Sequence, residues 1–150
     1  SQMIENYLRN KRSALPPNTD LDWTIEPGLM VSFDLDAMET VLRNLIENAI
    51  LYSEGPARIR IEMKRNASMA HLIVRDSGCG IPPALRKKIF KMFYRIRHPG
   101  KSIRGSGLGL FIVHNIIKLH NGRIWLDTAT SDKGSTFHLL IPLSSARQPI

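Results

Sequence analysis

The stretch RGSGLGLFIVHNIIKLHNG, residues 104–122, sets three glycines at alternate positions, Gly105, Gly107 and Gly109, directly ahead of an apolar helical segment. Glycine is a poor helix former, so a chain that opens a helix this way keeps its backbone bare for another purpose. Bare N–H groups and the positive end of a helix suit an anion. The pattern is G-x-G-x-G, which differs from the dinucleotide fingerprint, and the chain has no G-x-x-x-x-G-K-[ST] loop. A flexible hinge would explain the glycines but not the charge around them. Residues 77–126 carry ten Lys and Arg and no Asp or Glu, in a chain of formal net charge +8. An anionic ligand beside the glycines would need such a field.

The rest of the chain limits the alternatives. With 150 residues, 43% of them hydrophobic, it is long enough for one domain with a sizeable core. No apolar run approaches a membrane span, and no signal peptide is visible. The single cysteine, Cys79, excludes an intrachain disulfide framework and a multi-cysteine metal site, and fits a reducing, cytoplasmic setting.

Hydrophobic periodicity predicts the order β-β-α-β-β-α-α-β-β after an N-terminal helix or connector over residues 1–15. LDWTIE and LMVSF read as strands joined at Pro27-Gly28. A helix begins at Asp34, a plausible N-cap, and ends near YSEGP, where Gly55-Pro56 cannot continue it. ARIRIEMK and MAHLIVRD alternate as strands, DSGCGIPP is a loop, and ALRKKIFKMF reads as a short basic helix. Residues 108–119 form the last main helix, stopped by Asn121-Gly122, and RIWLDT and STFHLLIPL are the closing strands. The expected fold class is α/β: a two-layer sandwich with a mixed, mainly antiparallel sheet packed on about three helices. The expected boundaries are a helical connector or linker at 1–19, the domain at 20–143 and a tail at 144–150.

Two other places carry candidate chemistry. In NLIENA, Asn44 and Asn48 stand one helical turn apart beside the apolar arc, and an amide oxygen is a neutral hard ligand suited to Mg²⁺. Two polar residues at a core margin would look the same. In DSGCGI, Asp76 closes a strand, and Gly78 and Gly80 let backbone approach a flat ligand closely. An exocyclic amine on a base would satisfy that carboxylate. Alone, this run also reads as an ordinary turn.

In order, the chain holds NLIENA, DSGCGI, IFKMFYR, GSGLGL and GSTFHLLIP. This combination resembles the ATP-binding catalytic domain of bacterial sensor histidine kinases, with its N, G1, F, G2 and G3 boxes, over roughly residues 20–143. It is similar to the wider group of gyrase, chaperone, kinase and mismatch-repair nucleotide-binding folds. The resemblance implies ATP and Mg²⁺ as ligands and a mobile lid over the nucleotide. It implies Asn48 as the Mg²⁺ ligand, Asn44 as its companion near the phosphates, and Asp76 as acceptor from the adenine amine. Gly78, Gly80 and Ile81 would border the base. Phe90, Phe93, Tyr94 and Arg95 match the F box. Arg95, Lys101, Arg104, Gly105, Gly107, Leu108, Gly109 and Thr136 complete the implied nucleotide contacts.

The resemblance further implies transfer of the γ-phosphate to a histidine on a dimerisation domain, a downstream response regulator, a homodimeric parent and a membrane anchor elsewhere in that parent. None of His71, His98, His114, His120 and His138 is followed by the Glu or Asp of an acceptor box. The acceptor is therefore expected outside this chain, and the resemblance implies that residues 1–19 are a linker or the end of a dimerisation helix. Where the superfamily's hydrolases place a general-base Glu, this chain has Asn44, and an amide takes no proton at neutral pH. Glu47 is expected to turn away from the Asn44 face. Slow hydrolysis and transfer to an external nucleophile follow. One departure favours an alternative, a nucleotide-binding regulatory module with lost or weak transfer. Leu51 stands where the family's N box usually carries Lys or Arg. A nucleic-acid-binding reading of the basic stretch lacks any recognition motif, so no nucleic-acid partner is expected. A related serine kinase shares several of the boxes.

Overall fold

The computed structural model describes residues 1–96, 105–127 and 133–144. Helix α1 spans Gln2–Ser13, and strand β1 follows at Asp20–Ile25. Helix α2 covers Leu35–Leu51, then come β2 (Arg58–Asn66) and β3 (Met69–Asp76). After two 3-10 turns, helix α3 covers Gly109–Leu119, and β4 (Arg123–Leu126) and β5 (Thr136–Pro142) close the fold. The five strands form one sheet in the order β1-β2-β3-β5-β4. β1 pairs parallel to β2, with Leu21 opposite Ile59, and the other pairs are antiparallel. The sheet is mixed and mainly antiparallel, as the sequence predicts.

Strand alternation decides which face the helices cover. Ile59, Ile61 and Met63 of β2, Ala70, Leu72 and Val74 of β3, and Phe137, Leu139 and Ile141 of β5 are all buried. Against them α2 buries Met38, Val41, Leu42, Leu45, Ile46 and Ala49, and α3 buries Val113 and Ile117. α1 adds Ile4 and Leu8 to the same core. Each such aliphatic side chain contributes about 1.5–3 kcal/mol on burial. The opposite face carries the ion pairs Asp22–Arg60, Arg60–Glu62 and Arg75–Glu62, which are solvent-exposed and worth only about 0–1 kcal/mol each. Apolar burial between sheet and helices therefore holds the fold, and it presses α2 and α3 side by side.

Two expected elements differ. LMVSF is not a strand; Val31 makes only an isolated bridge to Leu143. It meets the chain just past the end of β5, where the register leaves no longer partner, while Leu29 anchors the segment in the core. ALRKKIFKMF is not a helix but two 3-10 turns, Pro83–Leu85 and Lys88–Phe90. Its Lys and Arg have no acidic neighbours to support helical turns, and Ile89 is the one side chain of the two turns that is buried.

Candidate functional site

An open cleft of about 360 Å³ lies between α2, the loop after β3 and the start of α3. Asp34 starts α2, its Oδ1 accepting from the Ala37 N–H at 2.9 Å. From there, Asn44, Glu47, Asn48 and Leu51 recur at helical spacing and form one wall. They run beside the buried stripe, so the packing that seats α2 on the sheet also aims them into the cleft. The Asn44 Nδ2 donates to the Thr40 carbonyl at 2.8 Å. That bond turns its Oδ1 toward α3.

The facing wall is the start of α3. No side chain caps this helix, and its first intrahelical bond runs from Ile112 N–H to the Leu108 carbonyl. The N–H groups of the first turn, including Gly109 and Leu110, which line the cleft, thus have no intrahelical partner. A Cβ on Gly109 would sit 2.8 Å from Asn44 Oδ1. Glycine is required there by the neighbouring helix. At Gly107 the requirement is conformational as well as steric: φ is +72°, and a Cβ there would lie 2.9 Å from the backbone of Phe93, itself at φ +59°.

Asp76 ends β3 at the floor. Its Oδ1 accepts from the Gly78 N–H at 2.8 Å and the Ser135 N–H at 3.1 Å. Neither bond uses Oδ2. The Gly134 N–H donates to the Gly78 carbonyl at 2.7 Å, and the Cys79 N–H to the Tyr52 carbonyl at 3.1 Å. The loop is thereby tied to both β5 and the end of α2. Burial pushes the Asp76 carboxyl above the usual carboxylate range, and the two backbone N–H bonds oppose this only in part.

Of the residues singled out from the sequence, Asn44, Asn48, Asp76, Gly80, Ile81, Arg95, Gly105, Gly107 and Gly109 line this one cleft. Gly78 lies buried behind the wall, where its N–H holds Asp76. Leu108 is the N-cap position of α3 and does not line the cleft. Thr136 lines a neighbouring cavity instead, and the adjacent Ser135 takes the place expected of it. Lys101, Arg104 and His98 lie outside the described residues. Glu47, expected to turn away, lines the cleft between Asn44 and Asn48. Three residues advance a helix by about 300°, so Glu47 stands only about 60° from Asn44 around the axis. Tyr52, Cys79, Ile89, Tyr94, Ile96, Ser106, Leu110, Ser135 and Phe137 complete the lining; of these only Tyr94 stood among the residues that the resemblance picked out for the site. No described histidine lines the cleft.

Residues 33–145 match the family model described as histidine kinase-, DNA gyrase B- and HSP90-like ATPase, and the chain belongs to this family. Within it, the similar proteins are sensor kinases. Sensor protein kinase WalK of Staphylococcus epidermidis is 36% identical over 144 residues, covering 93% of this chain and 23% of that protein. The solved structure of the mycobacterial sensor histidine kinase MprB superimposes with a TM-score of 0.79 at 27% identity, over 95% of this chain and 93% of the other. The catalytic domain of histidine kinase ThkA, in a nucleotide-free form, gives 0.78 at 28% identity, over 94% and 92%. The chain spans about a third or less of the length of the curated relatives it matches. Fold, cleft and relatives define an ATP-binding catalytic domain of the sensor-kinase type. Among the described residues no helix is long and apolar enough to cross a membrane.

Proposed function

We propose that this domain binds Mg²⁺·ATP in the cleft and donates the γ-phosphate to a histidine on an acceptor domain outside residues 1–150. The reading rests above all on the opposition of Asn44 and Asn48 on α2 to the uncapped start of α3, with Asp76 on the floor between them. Asp76 Oδ2 accepts from the exocyclic amine of adenine. The triphosphate runs toward the first-turn N–H groups of α3, where the helix end favours negative charge, and Arg95 lines that part of the cleft.

The donor set suits a hard cation. The Asn48 side chain lines the cleft and makes no hydrogen bond among the described residues, so its amide oxygen is available. No cluster of three or more His, Cys, Asp or Glu among the described residues could hold a metal. Asn48 would therefore hold Mg²⁺ together with phosphate oxygens and water, as this ion prefers. Bound there, the ion neutralises charge on the transferring phosphoryl group. The protein's own part is positioning: α2 and α3 align the γ-phosphate for in-line attack. The acceptor imidazole nitrogen forms the N–P bond as the bond to the bridging oxygen breaks, ADP leaves, and the imidazole releases its proton.

A homodimeric parent carrying the acceptor, a membrane anchor and a downstream response regulator complete this proposal. Its test is the full-length kinase incubated with γ-labelled ATP. An acid-labile phosphohistidine that disappears with Asn48→Ala is expected. Nucleotide binding without label would overturn the transfer.

Glu47 favours a second reading, slow hydrolysis, because a carboxylate in the cleft can take a proton from water where Asn44 cannot. Glu47→Gln should then lower phosphate release by the isolated domain at least about 100-fold while ATP affinity holds. Unchanged release would remove Glu47 from the chemistry.

A further inference from the structure

The face of the sheet turned away from α2 and α3 carries a cluster that the nucleotide site does not use. His71 alternates with buried Ala70 and Leu72 on β3, and His138 with buried Phe137 and Leu139 on β5. Trp125 alternates with Ile124 and Leu126 on β4, so all three side chains point away from the core. His138 stands opposite Trp125, and the two rings stack with centroids 5.2 Å apart and planes 11° apart. His71 Nε2 lies 3.0 Å from His138 Nδ1. The other nitrogen of His138, Nε2, is shut off from solvent and makes no hydrogen bond, but Asp127 Oδ2 stands 3.4 Å from it.

Two imidazole nitrogens that face each other share one proton. The Asp127 carboxylate favours the Nε2–H form of His138, which leaves Nδ1 as a lone pair turned toward His71. A metal-bound imidazole has this same arrangement, with its second ring N–H aimed at a carboxylate. The spacing also suits an ion. Two nitrogens about 2.0–2.1 Å from one metal, at a right or tetrahedral angle, stand about 2.8–3.4 Å apart. Their ring centres then fall about 5 Å apart at the tetrahedral angle, and those of His71 and His138 are 5.1 Å apart. Turning the rings therefore opens the seat without moving the strands. Burial, His138 and Lys64 all hold the His71 ring below its usual range, so it is neutral at pH 7, as a ligand must be.

We propose that His71 Nε2 and His138 Nδ1 chelate one transition-metal dication of the zinc and copper class. Asp127 orients His138 and is not itself a ligand, and water completes the shell. The ion takes the place of the shared proton, which His71 then carries on Nδ1. Two protein ligands make this an open site of moderate affinity, in keeping with the absence of any three-residue cluster among the described residues. Imidazole selects this class of ion over Mg²⁺, so the site is independent of the nucleotide's own cation. A bound ion ties β3 to β5, the strands that end at Asp76 and begin at Thr136.

The experiment is calorimetric titration of the nucleotide-free chain with Zn²⁺, with Cu²⁺ quenching of tryptophan fluorescence as a second readout. Half the ligands of a structural zinc site should give a Kd of about 1–100 µM, with no competition from Mg²⁺. His71→Gln and His138→Gln should each weaken Zn²⁺ at least about ten-fold, and Asp127→Asn about ten-fold. Zn²⁺ at 100 times its Kd should raise the melting temperature of the parent by about 5 °C or more and leave that of His71→Gln unchanged. Cu²⁺ should quench the parent and spare both His71→Gln and Trp125→Phe, since the other tryptophan, Trp23, lies on β1 at the far edge of the sheet. Melting and ATP binding without metal, unchanged in His71→Gln, show that the variant is folded. Zn²⁺ that binds the parent and a His71→Gln, His138→Gln double variant alike overturns the site. So does quenching that persists in His71→Gln, or the absence of binding at millimolar Zn²⁺.

Discussion

Asn44 Oδ1 and Gly109 are in contact across the cleft: a Cβ added at position 109 would lie 2.8 Å from that oxygen. The two residues belong to different helices, α2 and α3, and both line the cleft. On an isolated helix, alanine would be preferred to glycine by about 1 kcal/mol. Here the added methyl must push Asn44 off its bond to the Thr40 carbonyl or part the helices.

Gly109→Ala should therefore destabilise the domain, by about 1–3 kcal/mol, despite the gain in helix propensity. It should also weaken ATP binding. Thermal unfolding with and without ATP checks both; a variant as stable as the parent with intact binding would show that the contact yields at no cost.

Asp76 gives a pH signature. Burial raises its pKa in the folded state above the ordinary aspartate value. Its contribution to stability is then complete below that ordinary value and is lost as pH rises through the raised one. Asp76→Asn keeps an Oδ1 acceptor for Gly78 and Ser135, so relative to the parent it should gain stability over the same rise. Binding runs the other way. ATP affinity should fall as the carboxyl takes up its proton, at a higher pH than for an ordinary carboxylate. The asparagine variant should bind weakly with that step missing. Titrations of both proteins across acid pH, with the phosphate's own titration common to the two, isolate the difference.

Leu51 lines the cleft on the same stripe as Asn44 and Asn48, and its Cδ2 lies 3.6 Å from where a Cβ on Gly105 would be. Leu51→Lys should place an ammonium group beside the phosphates and tighten ATP about ten-fold, the scale of one charge-assisted hydrogen bond. Equal affinities for the two proteins would mean that position 51 does not face the phosphates, and would remove the ground for reading the domain as weakened there.

Cys79 lines the cleft and the cavity behind it. Saturating ATP should slow its alkylation by a thiol reagent. Rates equal with and without nucleotide would place the base elsewhere.

Much of the fold is legible in the sequence because its signals are local. The alternation in ARIRIEMK and MAHLIVRD, the helical spacing from Asp34 and the stop at Asn121-Gly122 each depend on residues within a few positions of one another. The nucleotide boxes are local in the same sense, and they led to the right family. Periodicity could not show that LMVSF has only one partner, because the register of β5 sets that. Nor could it show that the basic run after Pro83 has one buried anchor for its two turns, since burial there depends on what packs above it.

What the sequence by itself determined is which residue types stand at each end of each element: amides on α2, a carboxylate closing β3, glycines opening α3. The tertiary structure alone decided how they meet. Ser135 reaches the Asp76 carboxylate across 59 positions of chain, Gly109 meets Asn44 from another helix, and Glu47 joins the cleft while Thr136 leaves it. The physical reason is that the 3.6- and two-residue periods are written into consecutive side chains. A hydrogen bond or a contact between distant segments exists only once the core has set the spacing between helix and sheet.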